Sequence, residues 1–311
     1  MSESGERVSV VIPTYYRNEM LADAIESARR QTHQPVEIVV VDDSGTGNAQ
    51  FVVESYPDVA YVEFDENRGP QAAREAGVRT TTGRYVQFLD DDDMLRPTKL
   101  SAQLPLFTDA VGAVYCGYQD AESGTIELPD PTVRGDILER ALTLETWPCN
   151  TDTLLIERGV LESMLPFEHH HGAEDDGFRI ELARRTRFDF VDAPLVVRRK
   201  HSPNRRASSW AYVEGRKAVV DSYPDLYAAH PRARRTALRK TYQLAAYRYR
   251  QERRWALGMP VSYLRAAVHA ESTGIRLRLF ASAALSLAGR PALDAGGRLL
   301  ATIQDGLGRA P

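Results

Sequence analysis

The chain has 311 residues, 43% of them hydrophobic and 26% charged, with a formal net charge of −4. That is ordinary for a soluble globular protein, and the length suits one large domain plus an appendage. Two cysteines, Cys116 and Cys149, exclude a disulfide framework and a cysteine metal site and fit a reducing compartment. The opening MSESGERVSVVIP has no basic region followed by an apolar core, and no run of about 18 apolar residues occurs, so neither a signal peptide nor a membrane span is expected.

The first strand is Val8 to Ile12, a continuous apolar run of the kind covered on both faces. Pro13-Thr14-Tyr15 ends it. Asn18 is placed to cap a helix from about Glu19 to Gln31, with Leu21, Ala24, Ile25 and Ala28 on one face. Val36 to Val41 reads as a second buried strand, ending in Asp42-Asp43-Ser44-Gly45, with a helix through Phe51-Val52-Val53. Val59 to Phe64 is a third strand. A helix from Gln71 to about Arg79 follows Asn67-Arg68-Gly69-Pro70.

The next stretch organises the rest. Tyr85-Val86-Gln87-Phe88-Leu89 has strand length and composition and ends in four carboxylates, Asp90 to Asp93. Acids in a row repel one another and have poor strand propensity, so they belong on the loop past the strand's end. Such a loop is either a solvated acidic turn or a site for a hard divalent cation. Tyr15, Asp42-Asp43, Asn67 and Asp90 to Asp93 all follow strand C-termini. Alternating strands and helices imply a mostly parallel sheet, and these polar groups should converge on one edge, where open α/β sheets bind ligands.

Beyond Pro97 a helix to about Phe107 and a strand from Val111 to Tyr115 are expected, then an excursion over 119–136. Asp152 to Ile156 reads as a strand and Glu157 to Met164 as a helix. His169-His170-His171 leads to Glu174-Asp175-Asp176 and a helix to about Arg185. Three adjacent histidines cannot easily face one ion, so that run reads as a loop rather than a metal site. Phe188 to Val191 and Leu195 to Arg199 read as strands, giving way to a loop with His201, Arg205 and Arg206. From Ser208 onward the pattern is helical.

Charge is unevenly spread. Residues 205–265 hold 14 Lys/Arg and 4 Asp/Glu, a local +10, while residues 1–204 carry −16. The basic segment is either a solvated helical face or a surface for phosphates or anionic lipid. Leu277, Leu279, Phe280, Ala283, Ala284, Leu285 and Leu287, with Arg276, Arg278 and Arg290 at the ends, form an apolar helix too short for a span. It either packs on its own domain or lies on a membrane.

VSVVIPTYYR, VVVDDSG, NRGPQAAREAG, GRYVQFLDDDDMLRP and AEDDGF stand in the order and spacing of the inverting family 2 glycosyltransferases, which the chain resembles over roughly residues 7–205. The resemblance implies an α/β GT-A fold with a mostly parallel central sheet flanked by helices. It leaves 206–311 as a helical C-terminal extension to a 1–205 catalytic domain. It implies a metal-dependent enzyme moving a sugar from a nucleotide-diphosphate donor to an acceptor hydroxyl, with Mn²⁺ or Mg²⁺ as cofactor. The Pro13 backbone and Tyr15 would bracket the nucleobase and Asp43 would bond its edge. Asp92 would bind the cation, with Asp90 and Asp91 near ribose and metal. Asp175 would be the general base, or else an acid favoured by a helix N-terminus. His201 would complete the metal site and Arg205 or Arg206 would neutralise diphosphate, unless their loop is merely solvated. Arg74 would approach the diphosphate, lock the aspartate loop, or form a plain salt bridge. Glu174, Trp147, Cys149 and Asn150 are placed on the acceptor side, the last three with core packing as the rival.

Tyr16, Glu75 and Ala173 depart from the family pattern, where Asn, Asn and Gly are usual. The expected acceptor is a glycan or lipid-linked glycan, with no nucleic-acid partner, and the expected location is cytoplasmic, either free or peripheral at the inner membrane face. Two rivals are a sugar nucleotidyltransferase and a non-catalytic sugar-nucleotide-binding or scaffold protein. The first would want a Gly-rich basic loop where Pro13-Thr14-Tyr15-Tyr16-Arg17 stands; intact Asp92 and Asp175 argue against the second.

Overall fold

The computed structural model describes residues 6–169, 172–199, 209–252 and 257–288. The chain divides into two compact units. The first comprises Met1–Ala141, Thr146–His169 and Glu174–Pro203; the second comprises Leu142–Glu145, His170–Ala173 and Asn204–Pro311. The expected break between 205 and 206 lies outside the described residues.

In the first unit the order is β1 (Val8–Thr14), α1 (Asn18–Arg29), β2 (Val36–Asp42), α2 (Gln50–Val53), β3 (Val59–Glu63), α3 (Pro70–Thr80), β4 (Tyr85–Phe88) and β5 (Asp93–Leu95). Then come α4 (Lys99–Gln103), β6 (Val111–Asp120), β7 (Ile126–Glu127), α5 (Leu138–Leu142), β8 (Leu155–Glu157), α6 (Arg158–Glu162), α7 (Glu174–Ala183) and β9 (Arg187–Arg198). One sheet runs β3-β2-β1-β4-β8-β6-β9-β5, with β7 on β6.

The half built from β1 to β4 is parallel. There the apolar runs do what their pattern predicts: Val8, Val10, Val11 and Ile12 are fully buried, as are Val39, Val40 and Val41. The other half is mixed. β8 lies antiparallel to both β4 and β6, and β5 is antiparallel to β9, while β6 and β9 are parallel. The expected mostly parallel sheet holds for β1 to β4 and for β6 with β9, and the antiparallel pairs of β8, β5 and β7 make the whole a mixed sheet. β8 enters after the long 121–154 excursion rather than through a helical crossover, so nothing imposes the parallel sense. The two strands expected over 188–199 are one, β9, kept continuous by register shifts against β6.

Two local details set the site's position. Gly77 lets α3 press against β1, since a Cβ there would meet Val11 Cγ1 at 2.1 Å. Asn18 does not cap α1 with its side chain; it opens the helix and donates to Asn48 Oδ1 at 2.7 Å, tying α1 to the loop after β2.

The second unit is helical: α8 (Trp210–Ser222), α9 (Pro224–Ala229), α10 (Pro231–Glu252), α11 (Gly258–Val268) and α12 (Thr273–Leu287). Ala266, Ala267, Ala270 and Leu279 form a small core with Tyr242, Tyr263 and Ile275, which packs α10, α11 and α12 together. The small residues allow close approach of the helices.

Candidate functional site

The site starts where β4 ends. The four residues of β4 are buried, and the chain then turns so that the Asp93 N–H donates to the Asp90 carbonyl at 3.0 Å. The four acids consequently have different surroundings. Asp91 is 3% exposed. Its Oδ2 accepts from the Thr14 hydroxyl at 2.8 Å and the Tyr15 N–H at 3.3 Å, and its Oδ1 accepts from Arg17 Nη1 at 2.9 Å. Expected on the donor side, Asp91 is turned inward and ties the end of β1 to the acidic loop. A carboxylate with several donors can be buried at such a strand end.

One oxygen each from Asp90, Asp92 and Asp93 come within 4.8 Å of one another. Three carboxylates make an all-oxygen donor set, which suits Mg²⁺ or Mn²⁺. Burial pushes the Asp90 carboxyl above its ordinary range, with Arg74 opposing and Asp152, Asp92 and Asp175 adding to the rise. Burial lifts Asp93 well above, and Asp152 and Asp90 reinforce it. Crowded like charges of this kind are relieved by a cation. Asp93 is an addition to the expected set: β5 pairs with β9, and the Arg199 N–H donates to Asp93 Oδ1 at 3.0 Å. His201, Arg205 and Arg206 lie outside the described residues.

Two arginines hold the loop. Arg17 Nη1 also reaches Asp92 Oδ2 at 2.8 Å, so one half-exposed guanidinium spans Asp91 and Asp92. Arg199 donates to the Asp92 carbonyl at 2.8 Å and to Asp23 Oδ2 at 2.6 Å, which pins the loop to α1.

Arg74 joins this cluster to α7. It is nearly buried on α3, and its guanidinium lies 3.0 Å from Asp90 Oδ1 and 3.5 Å from Asp175 Oδ1. Its contacts are thus with one carboxylate of the aspartate loop and one of α7. Asp175 also accepts from the Thr151 hydroxyl at 2.7 Å. Burial acts to raise the Asp175 carboxyl, but Arg74, Arg179, the Thr151 hydroxyl and Arg198 outweigh it and hold it below the usual carboxylate range. Its side chain nevertheless remains 46% exposed, open to an incoming group. Glu174 stands beside it at the start of α7, and its carbonyl accepts from Gln71 at 3.4 Å.

Trp147 and Asn150, expected together, part company. Trp147 is exposed, edge-on to Tyr118 at 5.4 Å between ring centres. The Arg198 guanidinium sits over Tyr118 at 4.5 Å and over Trp147 at 5.3 Å. Arg198 is itself fixed by two 2.6 Å bonds to the buried Asp152. Asn150, by contrast, is turned inward and accepts from Arg179 at 3.0 Å. Cys149 is fully buried, with its thiol pushed up to about 12 by burial. His169 is exposed, and His170 and His171 lie outside the described residues.

At the other end of the edge, Tyr15 is half exposed and packs edge-on against Tyr16 at 4.8 Å. Pro13 precedes them in β1, paired with Val41. Tyr16 has φ +54°, unusual for a tyrosine, and its hydroxyl donates to the Ser44 carbonyl at 3.3 Å. Asp43 is buried and accepts the N–H groups of Arg68 at 2.6 Å and Gly69 at 2.9 Å, so it orders the loop before α3.

Arg17, Thr151, Asp152, Arg198 and Arg199 were not singled out in the sequence. Arg17 sits inside the first motif and was within reach. The others have no local signal, because their partners lie 24 to 179 positions away.

A family model described as glycosyl transferase family 2 matches residues 9–164. An uncharacterized glycosyltransferase of Nostoc is 33% identical over 174 residues, covering 52% of this chain and 54% of that protein. The succinoglycan biosynthesis protein ExoO of Rhizobium meliloti is 39% identical over 108 residues, 34% of this chain and 31% of that protein. The chain thus matches about half the length of these curated relatives or less. Among solved structures, the mannosyltransferase PcManGT from Pyrobaculum calidifontis, in complex with GDP-Man and Mn²⁺, superposes with a TM-score of 0.57. It is 20% identical, with 94% of this chain and 86% of that chain covered, a likeness that carries the fold. The mixed sheet with its acidic edge is the GT-A fold, and the chain belongs to glycosyl transferase family 2.

Proposed function

We propose that this chain is a metal-dependent, inverting glycosyltransferase that moves a sugar from a nucleotide-diphosphate donor to an acceptor hydroxyl. The observation that carries the reading is Arg74, whose one guanidinium holds Asp90 of the oxygen cluster and Asp175 of α7. Two carboxylates with different tasks are thereby kept in fixed relation.

Asp90, Asp92 and Asp93 would hold Mn²⁺ or Mg²⁺, which supplies electrostatic stabilisation of the diphosphate as it leaves. Tyr15, the Pro13 backbone and Asp43 would receive the nucleobase. Asp175 is ionised at neutral pH, since Arg74 and Arg179 hold its carboxyl below the ordinary range against burial. It can therefore accept the acceptor hydroxyl's proton, a contribution of about 10²–10⁴-fold. Attack from the face opposite the diphosphate inverts the anomeric carbon. Trp147 offers an exposed aromatic face on the acceptor side, suited to a sugar ring, and Glu174 flanks the base. Asn150, whose amide already serves Arg179, acts as support rather than contact.

The acceptor we favour is a glycan or lipid-linked glycan, extended at the cytoplasmic face of a membrane. The relative named for succinoglycan biosynthesis supports the glycan, and the Mn²⁺ and GDP-Man of the solved neighbour support the cofactor and donor classes. The test is a nucleotide-sugar panel assayed with and without Mn²⁺. Mn²⁺-dependent release of a nucleoside diphosphate is expected. Inert nucleotide sugars together with pyrophosphate release from a nucleoside triphosphate and a sugar 1-phosphate would make the chain a nucleotidyltransferase, and binding without turnover would make it a scaffold.

A further inference from the structure

The described helices of the second unit leave apolar side chains uncovered in a regular arrangement. On α11 and its preceding turn, Leu257, Val261, Leu264 and Val268 are all exposed, Leu257 at 82% and Val268 at 71%. Their spacing of four, three and four puts them within about 60° of one another on a helix. The opposite face, Met259, Ala266 and Ala267, is buried against the rest of the unit. α12 repeats the pattern. Leu277, Phe280 and Leu287 are exposed and share a face with Ala281 and Ala284, while Leu279, Ala283 and Ser286 are buried. Both helices already spend their inner faces on the shared core, so the outer stripes are left over after folding.

Arg276 and Arg278 stand on either shoulder of the α12 stripe, and both are exposed. Leu277 lies between them at 63% exposure. An apolar stripe shouldered by guanidiniums matches the boundary of an anionic lipid layer, with chains below and phosphates above. In sequence, residues 205–265 carry the same sign of charge, with 14 Lys/Arg against 4 Asp/Glu. A second copy of this chain would bring its own arginines to the stripe and match it less well. No described helix is long and apolar enough to cross a membrane, so the contact would lie in the plane of the surface.

We propose that the outer faces of α11 and α12 dock the protein onto an anionic membrane surface. This does not rest on the transfer chemistry of the first unit. The full chain is tested by co-sedimentation with vesicles of phosphatidylcholine alone or with a third phosphatidylglycerol, at low and physiological salt. The parent should sediment with the anionic vesicles. Leu264→Ser with Val268→Ser, and separately Leu277→Ser with Phe280→Ser, should each cut binding about tenfold or more at both salts. Arg276→Glu with Arg278→Glu should cut it most at low salt, by about fivefold or more for each residue changed. Far-UV circular dichroism and the melting temperature of each variant check that the exposed substitutions leave the fold intact. A parent that stays in the supernatant at both salts overturns the proposal. So does unchanged binding of both apolar variants, which would leave only the basic charge. A parent that elutes as a dimer, with apolar variants that elute as monomers and vesicles that bind neither, makes this a self-association face instead.

Discussion

The acidic edge of the first unit and the α11–α12 pair of the second use arginine in opposite ways. Arg74 is nearly buried and Arg198 mostly so, and each is committed to carboxylates within 3.5 Å. Arg276 and Arg278 are exposed beside apolar side chains. In the first case the guanidinium is a fixed geometric part, because a planar fork can hold two acids at defined angles. In the second it is surface charge, and the contact that Arg276 makes is with a backbone carbonyl, that of Ala270 at 3.5 Å. Removing charge should therefore disrupt chemistry in one region and leave the fold intact in the other.

The largest expected effect is at the cation cluster. Asp92→Asn should weaken Mn²⁺-supported donor binding and lower turnover by about 10³-fold or more. Wild-type metal titration and rate in that variant would remove Asp92 from the set. Asp175→Asn should leave donor affinity unchanged and lower transfer by about 10²–10⁴-fold. Loss of donor affinity with transfer preserved would reverse the assignment.

Arg74 tests the geometric role. Arg74→Gln should cost about 1–3 kcal/mol of stability, read by urea unfolding, because two partly open carboxylates lose a shared partner. Arg74→Lys should recover stability better than activity, since a point charge does not span Asp90 and Asp175 as a fork does. Equal recovery of both would reduce Arg74 to a plain ion pair.

A further charge lies in the first unit's core. Lys99 is fully buried among Gln87 and Gln103, the latter at 2.7 Å, and burial lowers its pKa to about 8. Between about pH 8 and 10.5 the unfolded chain keeps a proton there that the folded chain has released. Stability from this group thus rises with pH across that window, by about 3 kcal/mol, and below pH 8 the cost of burying the charge is felt in full. The gap in unfolding free energy between parent and Lys99→Met, followed across that window, should show this rise. A flat gap would mean that Lys99 titrates normally.

The smallest effect belongs to the exposed stripe. Leu277→Ser should change unfolding free energy by no more than about 0.5 kcal/mol, since little apolar area is uncovered. A loss of 2 kcal/mol or more would show Leu277 to be part of the unit's core.

What the sequence determined alone is local. Continuous apolar runs define β1 and β2, because a strand covered on both faces leaves no room for alternation. The polar groups that follow those runs must then sit at strand ends, which brings Tyr15, Asp43 and the acidic loop to one edge. The motifs around them were enough to indicate the family. The fates of individual side chains were not local. Asp91 and Asp92 are neighbours in sequence, yet Asp91 is buried because the end of β1 meets it with Thr14 and the following Tyr15, from 77 and 76 positions away. Asp93 leaves the loop because β9 pairs with it, and Asn150 turns inward because Arg179 is there to receive it. The antiparallel entry of β8 is of the same kind. Backbone pattern follows from short-range sterics and burial, whereas the surroundings of each charge depend on which distant strand or helix folding brings beside it.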